Sequence, residues 1–243
     1  MPIGIIANSL SIVIGGMAGA WIGDRLNMEF KEKIQMIFGV CSMGMGVSSI
    51  VLMVHMPAVI FSIIIGTMLG LTIHLGERIN RAAVWMQRFI SKFVKNTNKD
   101  ISGEEFISTL VTIIVLFCAS GTGIYGAIVS GMEGDHGILL AKSILDLFTA
   151  LIFACTLGMV VSIVAIPQFI IFLFLFFMAG VIFPMTTPEM ISDFKACGGF
   201  IMLATGFRMI KVKMFPIADM IPAMILVMPL SALWAGYILP LVN

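Results

Sequence analysis

Apolar residues run through this chain in long blocks separated by short polar interruptions. At ~1.5 Å of rise per residue, a block of about 20 apolar residues is what a bilayer core requires. Blocks of that length predict eight spanning helices, at roughly 3–23, 34–54, 57–76, 104–130, 137–163, 168–185, 194–210 and 219–241. The fifth departs from the pattern: between Gly134 and Ser162 it carries Lys142 and Asp146 well inside the apolar run. Lys142, Asp146, Thr149 and Thr156 share one sector of a helical wheel, because spacings of four, three and seven return to the same face. A charge at the bilayer centre costs at least ~2.5–3.5 kcal/mol, so this stripe must look into protein or water.

Composition makes the class firm. Hydrophobic residues are 60% of the chain, charged residues 11%, and the mean hydropathy is +1.11, which predicts an all-α, polytopic membrane bundle as a single membrane domain, 1–243. A net charge of +1, without a basic cluster bearing aromatics, points to no nucleic-acid partner. The opening Met-Pro-Ile-Gly-Ile-Ile-Ala-Asn lacks the positive region of a signal peptide, so the first block is expected to be retained as a span. Cys41, Cys118, Cys155 and Cys197 lie in or beside apolar blocks with no metal spacing, and are expected to be buried thiols.

Charge orients the spans. Arg25, Lys31 and Lys33 follow the first; Arg78, Arg81, Arg88, Lys92, Lys95 and Lys99 follow the third; Arg208, Lys211 and Lys213 follow the seventh. Even alternation puts all of these on one face, the cytoplasmic one by the positive-inside rule, with both termini outside. Outer loops then carry Glu133, Asp135, Glu189 and Asp193. From Arg78 to Asn98, Ile79, Met86, Phe89, Ile90 and Phe93 fall opposite Arg81, Arg88, Lys92 and Lys95, as in a helix lying on the inner leaflet, there to anchor or to regulate. Ser102 with Glu105 reads as a capping box, Thr187-Pro188-Glu189 as a helix start, and Asp219 as the cap of the eighth helix.

Glycines repeat with fixed offsets. Gly15-Gly16, Gly23 and Arg25 are matched by Gly198-Gly199, Gly206 and Arg208, and more loosely by Gly66, Gly70, Gly76 and Arg78. Cys41-x-x-Gly44-x-Gly46 is matched by Cys118-x-x-Gly121-x-Gly123. Hairpins 3–54 and 57–130 therefore look like parallel copies, with 194–241 beginning another, as in transporters built from repeats. Glycines two apart weaken a helix by ~1 kcal/mol each relative to alanine, and a freed backbone group in lipid needs protein or water beside it. Ser42, Gly44, Ser120, Gly121, Thr122 and Gly123 thus join Lys142, Asp146 and Thr149 as candidates for a midplane site for a small solute or ion. The plain alternatives are an ion pair that cancels its own charge, a Lys142 that snorkels outward, and glycines that serve helix contact or dimerisation.

Other chemistry finds little support. No Walker A sequence and no protease pattern occurs, so neither an enzyme nor a bound cofactor is expected. An outer metal site from His136, Asp135 and Glu133 is a minor option.

The run from Cys118 to Asp146, with its Gly-Asp-His-x4-Ala-Lys-x3-Asp core, resembles the YdfK/YqgA-like bacterial membrane proteins, a family catalogued as a domain of unknown function. The Gly198–Gly206 run and Ala218-Asp219-Met-Ile-Pro-Ala223 extend the resemblance over essentially the whole chain. Two departures stand out: Thr122 where that family often has Pro, and Asp219 where Asn often precedes Met-x-Pro-Ala. The resemblance implies a multi-pass protein of the bacterial inner membrane and no settled activity.

The expected function is a secondary transporter or permease for a small polar solute or ion. Asp146 would bind a proton, Na⁺ or a cationic group, Lys142 would tune it or meet an anion, and Ser42, Ser120 and Thr122 would coordinate the solute. A passive channel is a near neighbour. A non-transporting scaffold or sensor, binding a second copy or another membrane protein through its glycine faces, is the rival. A hydrated cavity bordered by Asp146 and Gly121 would speak for transport; a packed interior with Asp146 locked to Lys142 would speak against it.

Overall fold

The computed structural model describes residues 1–22, 27–90 and 103–242, and among them secondary structure is helical throughout. The elements are α1 (Ile3–Ile22), α2 (Met28–Ile50), α3 (Met56–Thr72), α4 (Leu75–Ile90), α5 (Gly103–Cys118), α6 (Gly121–Glu133), α7 (Gly137–Leu157), α8 (Val160–Ile163), α9 (Ala165–Ile182), α10 (Pro188–Met209), α11 (Ile217–Leu233) and α12 (Leu239–Val242). Six helical runs among the described residues are long and apolar enough to cross a membrane, or seven if α3 and α4, bent by 58°, form one span. The expected eight is close. The eighth candidate, α10, carries Glu189, Asp193, Lys195 and Arg208 within its length.

The chain divides into two compact units. One comprises Met1–Gln35 and Arg78–Gly180, the other Met36–Glu77 and Val181–Asn243. In the first unit, α1 lies against α7 so closely that there is no room for a side chain at Gly15 or Gly19. A Cβ on Gly15 or Gly19 would fall on the carbonyl of Leu147 or Leu151, and one on Gly16 would strike Ser162 of α8. Gly4 faces Leu139 at the other end, so α1 and α7 run parallel. By the same reading α6 and α9 are parallel, Gly123 meeting Phe172 and Gly131 meeting Phe176. Ile12 of α1, Leu110, Ile113, Ile114 and Phe117 of α5 and Val161 of α8 form one buried core with Ala83 and Ile90 of α4 and Ala150 and Ala154 of α7.

In the second unit α3 and α11 run antiparallel, with Gly66 on Ala223 and Gly70 on the Asp219 carbonyl. So do α2 and α10, where Gly46 meets Gly199 and Gly39 meets Gly206. All four relative directions agree with even alternation of the spans. The repeated glycines therefore serve close helix contact in both units, with a parallel partner helix in one and antiparallel partners in the other.

The two Cys-x-x-Gly-x-Gly segments behave differently. The second interrupts its span: Ser120, with extended backbone, caps α6 by accepting a hydrogen bond from Gly123 N at 3.1 Å. The first does not, since α2 is continuous from Met28 to Ile50, which corrects the expected break at Gly44. The physical reason lies one residue before the first glycine. Ser120 has a hydroxyl that can satisfy a freed amide, whereas its counterpart Met43 has none. Gly158 ends α7 at φ 74° and ψ −155°, a conformation open in practice only to glycine, and splits the predicted 137–163 helix.

The surface helix is present as α4 after a turn through His74. Ala83, Gln87 and Ile90 are buried, while Arg81 and Arg88 are exposed; Lys92, Phe93 and Lys95 lie outside the described residues. Ser102, of the predicted capping box, also lies outside them, as do Gly23 and Arg25. Thr187 caps α10 as predicted, and its hydroxyl holds the Glu189 carboxyl below the usual carboxylate range. Asp219 caps another helix than its own: its Oδ1 accepts from Gly76 N, at the start of α4, at 2.8 Å. Cys118, Cys155 and Cys197 are buried, but Cys41 is exposed, because α2 turns Gly39 and Gly46 rather than Cys41 toward α10.

Candidate functional site

Asp146 stands near the middle of the 21 residues of α7, on the face turned to α1. Its burial follows from glycine: only because α1 presents Gly15 and Gly19 to α7 can the two backbones approach so closely. Lys142 Nζ donates to both Asp146 oxygens, at 2.8 and 2.6 Å, and the pair is 4% and 6% exposed. Asp146 Oδ2 also accepts from Asn8 Nδ2 of α1 at 2.8 Å. Asn8 Oδ1 accepts in turn from Gln168 Nε2 of α9 at 2.6 Å, and Gln168 Oε1 from Ser9 Oγ at 2.7 Å. Five side chains from three helices thus form one buried chain in which each donor points toward the Asp146 carboxylate. The Lys142 ammonium also lies 5.9 Å from the Phe117 ring centroid, beside the break between α5 and α6.

The pair is therefore locked, and Lys142 turns inward rather than snorkelling. Such a pair is a poor source of stability, because removing both charges from water offsets much of their attraction. Asn8 recovers part of that cost by donating to Asp146, and Gln168 and Ser9 satisfy the amide oxygens behind it.

Not every predicted residue belongs here. Thr149, one turn beyond Asp146, and Thr122 are buried in the same unit. Ser120 uses its oxygen as a helix cap, and Gly121 and Gly123 are buried, Gly123 beneath Phe172. Ser42 and Gly44 belong to the other unit. There Ser42 Oγ donates to the Met202 carbonyl at 3.0 Å, and Gly44 faces open space. Asn8, Ser9 and Gln168 were not foreseen. The available signal was polar side chains in otherwise apolar stretches, which earned the charged pair its prominence but was overlooked for amides.

A second buried carboxylate was missed outright. Asp193, expected in an outer loop, is 0% exposed inside α10. Its Oδ1 accepts from the backbone amides of Val54 and His55, both at 2.8 Å. Its Oδ2 meets His55 Nδ1 at 2.9 Å and accepts from Ser231 Oγ at 2.7 Å. The loop expectation failed because charge alone was taken to mean solvent, whereas two amides ahead of α3 are ready-made anion donors. His136, of the minor metal option, pairs through Nδ1 with Ser130 Oγ at 2.7 Å, and Asp135 accepts from Gly137 N at 2.9 Å.

The comparisons with known proteins agree with this picture of a helical membrane protein. The chain is 44% identical over 237 residues to "Uncharacterized protein YqgA" of Escherichia coli (strain K12), covering 98% of this chain and 99% of that one. It is 24% identical over 229 residues to "Uncharacterized membrane protein YdfK" of Bacillus subtilis (strain 168), covering 92% and 93%. No solved structure matches it. Residues 3–232, from α1 through the Asp146 and Asp193 clusters to the end of α11, match one family along their whole length, and the chain belongs to that family, "Protein of unknown function (DUF554)".

Proposed function

We propose that this membrane protein is a secondary transporter or permease, moving a small polar solute or ion across the bacterial inner membrane by alternating access, with both termini outside the cytoplasm. The single observation behind the reading is that the Asp146 carboxylate, deep in a span, is held by side chains alone. Lys142 occupies the place a cation would take on that carboxylate. A swing of its flexible stem would expose the Asp146 oxygens to a proton, Na⁺ or a cationic solute, with Asn8, which already donates to Asp146, as the neighbouring polar side chain. The displaced ammonium would be free to meet an anion. The structure then corresponds to a closed state, in which the lysine substitutes for the cargo.

The scaffold reading draws less support from the glycines, because Gly15, Gly19, Gly66, Gly70, Gly39 and Gly46 all face helices of their own unit, while Gly44 faces open space. One observation still favours it as a second reading. Every buried side-chain nitrogen and oxygen among the described residues has a partner, as a permanent lock would require, and Asp146 locked to Lys142 is the arrangement expected of a scaffold. Reconstituted vesicles separate the two. The transport reading expects flux driven by a pH or Na⁺ gradient that Asp146→Asn abolishes while the purified protein stays folded. An Asp146→Leu protein that is fully stable, in cells of unchanged phenotype, would hand the case to the scaffold.

A further inference from the structure

We infer that the groove between α4 and α9 seats an acyl chain of an anionic phospholipid, whose headgroup is met by Arg81 and Arg88. The groove has a volume of about 670 Å³, and Trp85 and Phe89 of α4 and Ile163, Ile166, Pro167 and Ile170 of α8 and α9 border it. Every side chain lining it is apolar, so a polar solute entering it would lose its hydrogen bonds to water without replacement. The volume lies in the range of ~300–1,000 Å³ that holds small ligands. Hydrocarbon is the occupant this lining accepts.

What selects the kind of hydrocarbon is the rim. Arg78, Arg81, Trp85 and Arg88 follow one another at helical spacings of three, four and three, so they share one face of α4, all are exposed, and Trp85 is the residue by which that face meets the apolar lining. Trp85, at 69% exposure, is the ring that the boundary between headgroups and acyl chains favours. Arginines on the same face as a tryptophan that borders an apolar slot match a molecule with a phosphate at one end and methylenes at the other. A second copy of the chain is a poorer fit, because a symmetric contact through this face would bring Arg81 and Arg88 against themselves.

The test uses the full chain in detergent with Trp21 and Trp234 replaced by Phe, leaving Trp85 as the sole tryptophan. Phosphatidylglycerol with brominated acyl chains should quench Trp85 at a lower mole fraction than brominated phosphatidylcholine, by about fivefold per arginine at low salt. Arg81→Gln with Arg88→Gln should make the two lipids equivalent. As a check that does not depend on the tryptophan replacements, native mass spectrometry of the unsubstituted protein should retain phosphatidylglycerol over phosphatidylcholine, and the paired glutamine variant should not. Equal quenching by both lipids, with both arginines present, would reduce the groove to ordinary lipid contact and overturn the inference. So would the absence of quenching by either lipid, which would mean that protein fills the groove.

Discussion

Among the described residues each unit of this protein buries one carboxylate, and the two are held in different ways. Asp193 rests on the backbone amides of Val54 and His55, with His55 and Ser231 completing its shell. Asp146 rests on Lys142 and Asn8, side chains with their own torsional freedom. A backbone amide can leave its acceptor only if the chain itself moves, whereas an ammonium on four methylenes needs only a change of rotamer. Burial and charge are alike in the two units, so neither distinguishes a latch from an exchangeable site. The flexibility of the donors does. Asp193 ties α10 to the start of α3 and to α11, and Asp146 is the carboxylate that could trade one cation for another.

The sharpest way to break this contrast is Asp193→Leu. It strands two amides, an imidazole and a hydroxyl at once, and is expected to destabilise the protein by about 3–5 kcal/mol, read by thermal unfolding and size-exclusion in detergent. A stable Asp193→Leu protein that has lost flux would move the functional carboxylate to the other unit. Next comes Lys142→Met, expected to cost about 2–4 kcal/mol, less than the loss of Asp193 because Asn8 still donates to Asp146. Adding Asp146→Leu to Lys142→Met should recover most of that stability without restoring flux. No recovery would mean that Asn8 and Gln168, rather than the charge, dominate the energetics of the cluster. Smaller again are the glycines. Gly15→Ala in one unit and Gly66→Ala in the other drive a Cβ into partner backbone, and both should cost about 1–3 kcal/mol in the same unfolding assay. Gly44→Ala, which meets open space in the middle of α2, should be neutral or stabilising by up to ~1 kcal/mol. Equal penalties at Gly15 and Gly66 would place the difference between the units in their carboxylates rather than in their packing.

Hydropathy and spacing made the helices, the amphipathic α4 and the oddity of Lys142 and Asp146 legible before any coordinate, because those signals are local. The same kind of reading misjudged the paired glycine motifs. It weighed the glycines, which both segments have, and not Ser120 against Met43, which decides whether a broken helix has a cap. Asp193 was misplaced for a related reason: an acidic residue near a predicted helix start was assigned to solvent, although amides at the mouth of another helix were available to bury it. Asp219 followed suit, capping α4 instead of α11.

Taken alone, then, the sequence determined a helical membrane chain, its approximate spans and one carboxylate that lipid cannot tolerate. Only the tertiary structure decided what that carboxylate touches. Asn8 lies 138 residues from Asp146, and Gln168 lies 160 from Asn8, and no periodicity reaches that far. Which helices press their glycines together fixes those meetings, and helix pairing is a property of complementary surfaces across the whole unit rather than of any one segment.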